Sequence, residues 1–94
     1  MFNAYILNMK KDVAKLKHME QVCSSRLRRY VFLEAVEGAV LSAYEINKYY
    51  SEQDATAEIG RPLSRGEIGC FLSHRKLYLE FLSSAYNCAI VLED

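Results

Sequence analysis

The sequence predicts an α/β fold with a mostly parallel sheet flanked by helices. Residues 3–9 and 29–36 are β-forming runs separated by a segment of helical period, the order of a parallel βαβ unit. A long helix of strong three- and four-residue period opens at Ser64. Last, the run Cys88-Ala89-Ile90-Val91-Leu92 reads as a short strand buried on both faces, with Glu93 and Asp94 at its carboxyl end.

Taken in order, Asn3-Ala4-Tyr5-Ile6-Leu7-Asn8-Met9 forms the first strand. In the helix over 12–25, Val13, Leu16, Met19 or Glu20, and Cys23 share one stripe, opposite Lys11, Lys15, Lys17 and His18. Residues 29–36 are rich in β-formers and end at Glu37-Gly38. Ser42 and Glu45 form a capping box for a helix from about 43 to 51. The polar stretch from Ser51 to Pro62 has weak periodicity and reads as a loop or a short irregular helix. Ser64 and Glu67 make a second capping box, and Ile68, Phe71, Leu72, Tyr78, Leu79 and Leu82 lie on one side of the helix that follows. Asn87 leads into the last strand.

A chain of 94 residues makes one small domain that buries roughly 60–65% of its unfolded surface. Twelve basic side chains balance twelve acidic ones, so no global field attracts nucleic acid or a membrane. Lys10, Lys11, Lys15, Lys17, Arg26, Arg28 and Arg29 do crowd the first third, as a solvated helix face or a local basic patch. Cys23, Cys70 and Cys88 form neither a disulfide framework nor a zinc pattern, and read as small buried hydrophobes in a reducing compartment. The tyrosines read as half-buried packing. No signal peptide and no apolar run of membrane length is present, so the expected location is the cytoplasm.

The segment Leu63-Ser64-Arg65-Gly66-Glu67-Ile68-Gly69-Cys70-Phe71-Leu72-Ser73-His74 is unusual. Gly66 and Gly69 each cost a helix of order 1 kcal/mol relative to alanine. They allow tight packing on a neighbour or the close approach of a ligand. Gly69 and Ser73, four apart, share a face. The free N–H groups of the helix start favour an anion. Ser73 and His74 are adjacent, which gives no nucleophile–base geometry. Glu93 and Asp94 either cap a strand or, lying outside a strand's carboxyl end, hold a metal and a phosphate.

Residues 4–9 with Lys15, the segment Glu34-Ala35-Val36-Glu37-Gly38, Leu63 to His74, and Ile90-Val91-Leu92-Glu93-Asp94 together resemble glycosyltransferase family 25, which includes bacterial lipooligosaccharide galactosyl- and glucosyltransferases and collagen galactosyltransferases. Leu63 to His74 matches the motif L-S-x-G-E-I-G-C-x-L-S-H, and Glu93-Asp94 the first two acids of an E-D-D motif. The resemblance covers essentially the whole chain, as one partial domain over residues 1–94. Glu37 stands where the family has aspartate, and Lys15 where it usually has arginine.

The resemblance implies the N-terminal part of a GT-A-like, Rossmann-like sandwich that binds a nucleotide sugar. Glu93 and Asp94 would hold Mn²⁺ or Mg²⁺ against the diphosphate of a UDP-sugar. Leu7, Asn8, Lys15, Glu37, Gly38, Gly66, Glu67, Gly69, Ser73 and His74 would form or support the donor site. The implied reaction transfers galactose or glucose from a UDP-sugar to a lipooligosaccharide or lipopolysaccharide acceptor, in the cytoplasm or at the cytoplasmic face of the inner membrane. The third acid, the acceptor side and any general base are expected beyond Asp94, so the chain alone is expected to be inactive. A non-catalytic truncated product and a small nucleotide-binding α/β module are the alternatives.

Overall fold

A computed structural model of the chain describes residues 2–9 and 11–93. The elements run β1 (Phe2–Asn8), α1 (Val13–Arg26), β2 (Tyr30–Glu34), a 3₁₀ turn (Gly38–Val40), α2 (Ala43–Tyr49), α3 (Glu52–Ile59), α4 (Arg65–Leu82) and β3 (Cys88–Glu93). Among the described residues the sheet has three strands, all parallel, in the order β2-β1-β3. The fold class and the βαβ unit are as expected.

β1 is the central strand, and it is buried from Asn3 to Asn8 because both neighbours and both faces cover it. Side chains alternate across a strand, so Tyr5 and Leu7 share one face and Ala4 and Ile6 the other. Tyr5 and Leu7 form a core with Leu77 of α4, joined by Leu33, Phe81, Ala89 and Val91. The Phe81 ring meets Tyr5 edge to face at 6.4 Å. On the opposite face Ala4 and Ile6 are fully buried, as is Cys23 of α1.

Strand order reverses at β1. The chain leaves β1 through α1 to β2 on one side, then returns through residues 35–87 to β3 on the other. All three carboxyl ends lie together: Asn8 pairs with Glu34, Leu7 with Glu93, and the Ala35 amide donates to Asn8 O at 2.8 Å. A crevice outside such a reversal is where open α/β sheets bind ligands.

Several expectations are corrected. Residues 52–59 form a regular helix, because Ser51 Oγ accepts from the Asp54 amide at 3.2 Å and Gly60, at φ 81°, ends it in the left-handed region. β3 is not buried on both faces: Cys88 and Ile90 are exposed, since β3 is an edge of the described sheet. Of the three cysteines only Cys23 is buried; Cys70 and Cys88 are exposed. On α1, Val13 is also exposed. α4 buries Ile68, Gly69, Ser73 and Leu77, while Phe71, Tyr78, Leu79 and Leu82 lie on its exposed face. That helix is apolar on two sides, and the inward face combines the large Ile68 and Leu77 with the small Gly69 and Ser73. Tyr44 and Tyr78 are exposed rather than half-buried. Among the described residues no helix is long and apolar enough to cross a membrane.

Candidate functional site

The loop after β2 and the start of α4 are locked together by backbone contact. A Cβ on Gly69 would lie 2.7 Å from Val36 O and 2.8 Å from Gly38 N; one on Gly38 would lie 1.7 Å from Arg65 O. Ser73 completes the lock, accepting from the Val36 amide at 2.7 Å and donating to Gly69 O at 2.8 Å. Its hydroxyl proton is therefore committed to a backbone carbonyl. Arg65 reaches back to donate to Gly38 O and Leu41 O. Lys76 Nζ donates to Glu34 O at 2.9 Å, tying the middle of α4 to the end of β2.

This lock holds α4 across the carboxyl ends of β1 and β3 and leaves a cleft of about 350 Å³. Its lining includes Leu7, Asn8 and Met9 from the end of β1, Asp12 and Lys15 from the start of α1, Gly66 and Cys70 from α4, and Glu93 from β3. The volume falls in the range of small-ligand pockets. Gly66 has open space where a Cβ would stand, its nearest neighbour being Ser64 Oγ at 3.9 Å. The two helix glycines thus divide the alternatives read from the sequence: Gly69 serves packing, and Gly66 leaves backbone open to the cleft.

Asp12 caps α1, its Oδ1 accepting from the Lys15 amide at 3.4 Å while its Oδ2 lies 3.7 Å from Lys15 Nζ. Lys15 is exposed at the rim, so this pair leaves the ammonium able to meet an incoming anion. Glu93 reaches across the other rim. Its Oε1 is bonded to His74 Nε2 and lies 3.9 Å from Cys70 Sγ. His74 Nδ1 lies 3.4 Å from the Tyr78 hydroxyl. Side-chain accessibility is 28% for His74 and 56% for Glu93, so the pair sits at the surface of the cleft wall.

Of the donor-site residues expected from the sequence, Leu7, Asn8, Lys15, Gly38, Gly66 and Ser73 line the cleft, and so does Glu93. Gly69 lies behind it as packing. His74 does not line the cleft itself but lies beside two residues that do, bonded to Glu93 and close to Cys70. Glu37 forms an ion pair with Lys11 and lines a neighbouring depression. Glu67 is committed to structure: its carboxylate accepts from the Ser64 amide at 2.9 Å and takes two bonds from Arg61 at 2.8 and 3.0 Å. Arg61, then the Ser64 amide, hold its carboxyl down at about 2. The capping box thus engages the Ser64 and Glu67 amides of the helix start expected to attract an anion. Asp94 lies outside the described residues.

Sequence reasoning did not single out Asp12 or Cys70. Asp12 follows the first strand as a helix cap in the first βα turn, a placement readable from the pattern. Cys70 and His74 are four apart, a spacing that puts both on one helix face and that suits a pair of metal ligands.

For a hard divalent ion, Glu93 fits by place and chemistry, an accessible carboxylate at the cleft. Its described neighbours, a thiol and an imidazole, are softer donors.

The family model for glycosyltransferase family 25, described as an LPS biosynthesis protein, matches residues 1–94. The chain is 28% identical to procollagen galactosyltransferase 2 of Mus musculus over 95 residues, covering 96% of this chain and 15% of that protein. Over 93 residues it is 27% identical to procollagen galactosyltransferase 1-A of Xenopus laevis, covering 96% of this chain and 15% of that protein. A shorter stretch of 35 residues is 51% identical to procollagen galactosyltransferase 1-B of Xenopus laevis, covering 37% of this chain and 6% of that protein. The chain thus spans about 15% of the length of the relatives matched end to end. No solved structure matches it. With a parallel sheet, a cleft at its strand-order reversal and a family match from first residue to last, the chain belongs to glycosyltransferase family 25.

Proposed function

We propose that this chain supplies the nucleotide-sugar-binding portion of a galactosyltransferase that uses a UDP-hexose, with a lipooligosaccharide or lipopolysaccharide glycan as acceptor. The observation that carries the reading is the cleft at the carboxyl ends of β1 and β3, with Lys15 on one rim and Glu93 on the other. Galactose is favoured as the sugar by the relatives' names, and the acceptor by the family's description.

In this reading Leu7, Met9 and Val36 offer apolar walls to the nucleoside, and the open backbone at Gly66 admits the diphosphate closely. Lys15 places a positive charge beside it. Glu93, with Asp94, would hold Mn²⁺ or Mg²⁺, which when bound offsets the charge that develops on the departing UDP. The Ser73 and Gly69 lock holds the α4 wall against the loop after β2, which would preorganise the cleft before the donor arrives.

Calorimetric titration of the chain with UDP, in the presence and absence of Mn²⁺, tests the donor site. Saturable binding strengthened by Mn²⁺ and weakened in Lys15→Ala supports the reading; no UDP binding in either condition overturns it. Transfer of radiolabelled galactose from UDP-galactose to a lipooligosaccharide acceptor by the protein tests the reaction. UDP binding without transfer would instead favour a nucleotide-binding module.

A further inference from the structure

We propose that Cys70, His74 and Glu93 form a binding site for Zn²⁺ on the wall of the cleft. The donor atoms are Cys70 Sγ, His74 Nε2 and Glu93 Oε1, all within 4.8 Å of one another. Two come from successive turns of α4 on one helix face, and the third from the carboxyl end of β3, so the site spans two elements that the fold already fixes.

A zinc ion takes sulfur at about 2.3 Å and nitrogen or oxygen at about 2.0–2.2 Å, which in a tetrahedron sets ligand atoms about 3.4–3.6 Å apart. Cys70 Sγ and Glu93 Oε1 stand at 3.9 Å, close to that edge. His74 and Glu93 are hydrogen-bonded. An ion entering between them replaces the shared proton and spreads the pair, while the Cys70 thiol proton leaves to solvent as the thiolate binds. The His74–Glu93 bond brings two donor atoms together, and the exposed Cys70 thiol, which donates to the same carboxylate oxygen, adds the third. Outside the ligands, the Tyr78 hydroxyl sits 3.4 Å from His74 Nδ1. An acceptor there orients a ligating imidazole and fixes its tautomer.

One thiolate, one imidazole and one carboxylate suit Zn²⁺ better than Mg²⁺ or Mn²⁺, which prefer oxygen alone. Three protein ligands leave a fourth position open to water. Zn²⁺ here engages Glu93, so it competes with any hard cation for the same carboxylate. The inference rests on the side-chain cluster and stands apart from the nucleotide-sugar reading.

Cobalt(II) is the probe, added to the reduced chain without nucleotide. The expected spectrum has a thiolate-to-cobalt charge-transfer band and the d–d bands of a tetrahedral site, both displaced by Zn²⁺ and not by Mg²⁺. Cys70→Ser removes the charge-transfer band, and His74→Ala and Glu93→Gln weaken binding at least about tenfold, the loss already typical of outer-sphere partners. Cys88→Ser keeps the spectrum. Should a variant fail to fold, Zn²⁺ protection from alkylation is read by mass spectrometry on the unaltered chain, where Cys70 is shielded and Cys88 is not. A band that survives in Cys70→Ser, equal alkylation of Cys70 with and without Zn²⁺, or Zn²⁺ binding no tighter than Mg²⁺ overturns the site. These readouts are independent of UDP, so their failure leaves the donor-site reading standing and their success does not establish it.

Discussion

Gly38 and Gly69 meet backbone to backbone, and a Cβ on Gly69 would lie 2.8 Å from the Gly38 nitrogen. The contact fixes how α4 crosses the ends of the strands, so it decides the width of the cleft. A methyl at position 69 gains helix propensity of up to ~1 kcal/mol but meets backbone that has no flexible end to yield. Overpacking of this kind costs ~1–3 kcal/mol, so Gly69→Ala is expected to be destabilised. Gly38→Ala, with a Cβ 1.7 Å from Arg65 O, is expected to lose more. Gly66→Ala meets open space and is expected to keep wild-type stability or better; if the proposed donor site is right, it binds UDP less well because its methyl would crowd the diphosphate. Thermal unfolding and UDP titration of the three variants check that order.

Ser73 joins the two sides of the same lock. Alanine there leaves the part-buried Val36 amide without its acceptor and frees Gly69 O. A buried donor left unmatched costs ~1–3 kcal/mol, so Ser73→Ala should lose about that much stability in denaturant titration. Ser73→Thr keeps the hydroxyl but adds a methyl to a buried position, and is expected to recover only part of the loss.

The strands, α1 and α4 were legible because period and capping chemistry act locally. Ser64 and Glu67 announce a helix start whatever the tertiary fold. α3 carries local cap signals in Ser51, Asp54 and Gly60, but its weak apolar period leaves a loop and a short irregular helix equally open from sequence. The inward face of α4 was not. Phe71, Tyr78 and Leu82 make a stronger apolar stripe than Gly69 and Ser73, and only the three-dimensional meeting with Gly38 turns the small face inward. The rule for open sheets placed Glu93 at a ligand-binding strand end, whereas Leu7, Asn8, Glu37 and Glu67 came from the family resemblance; in the structure Glu67 and Glu37 are paired with Arg61 and Lys11. Motif position reports a neighbourhood; side-chain partners decide the role.

The Glu67 carboxylate makes acid stability partly a local property. Its folded pKa is lowered from 4.5 to about 2, first by the hydrogen bond from Arg61 and next by that from the Ser64 amide. A carboxyl depressed on folding stabilises the protein above its unfolded pKa, and the contribution disappears as pH falls through the folded value. The window is therefore from about 4.5 down to about 2. Glu67 is solvent-exposed, so the effect is modest and salt-sensitive. Glu67→Gln cannot titrate and is expected to start with a lower Tm at neutral pH. It should then lose less Tm than the wild type between about pH 5 and about pH 2. Parallel melting curves across that range would reject the assignment.

Lys15 lines the cleft at the start of α1, so in the proposed donor site its ammonium and the helix N-terminus would both favour a bound diphosphate. Asp12 at 3.7 Å holds part of that charge and acts against anion binding. Lys15→Ala should therefore weaken UDP binding by about tenfold or more, a charged hydrogen bond being worth ~1.5–3 kcal/mol. The loss should shrink as ionic strength rises, because the partner charges are solvent-exposed. Lys15→Arg offers a bidentate fork in place of a point charge and is expected to bind UDP at least as tightly as the wild type. Asp12→Asn keeps a capping oxygen while removing the competing charge, so it should raise UDP affinity in low salt with little change in Tm. Titration of the three variants at low and high salt checks the set, and equal affinity in Lys15→Ala and wild type at low salt would remove Lys15 from the donor site.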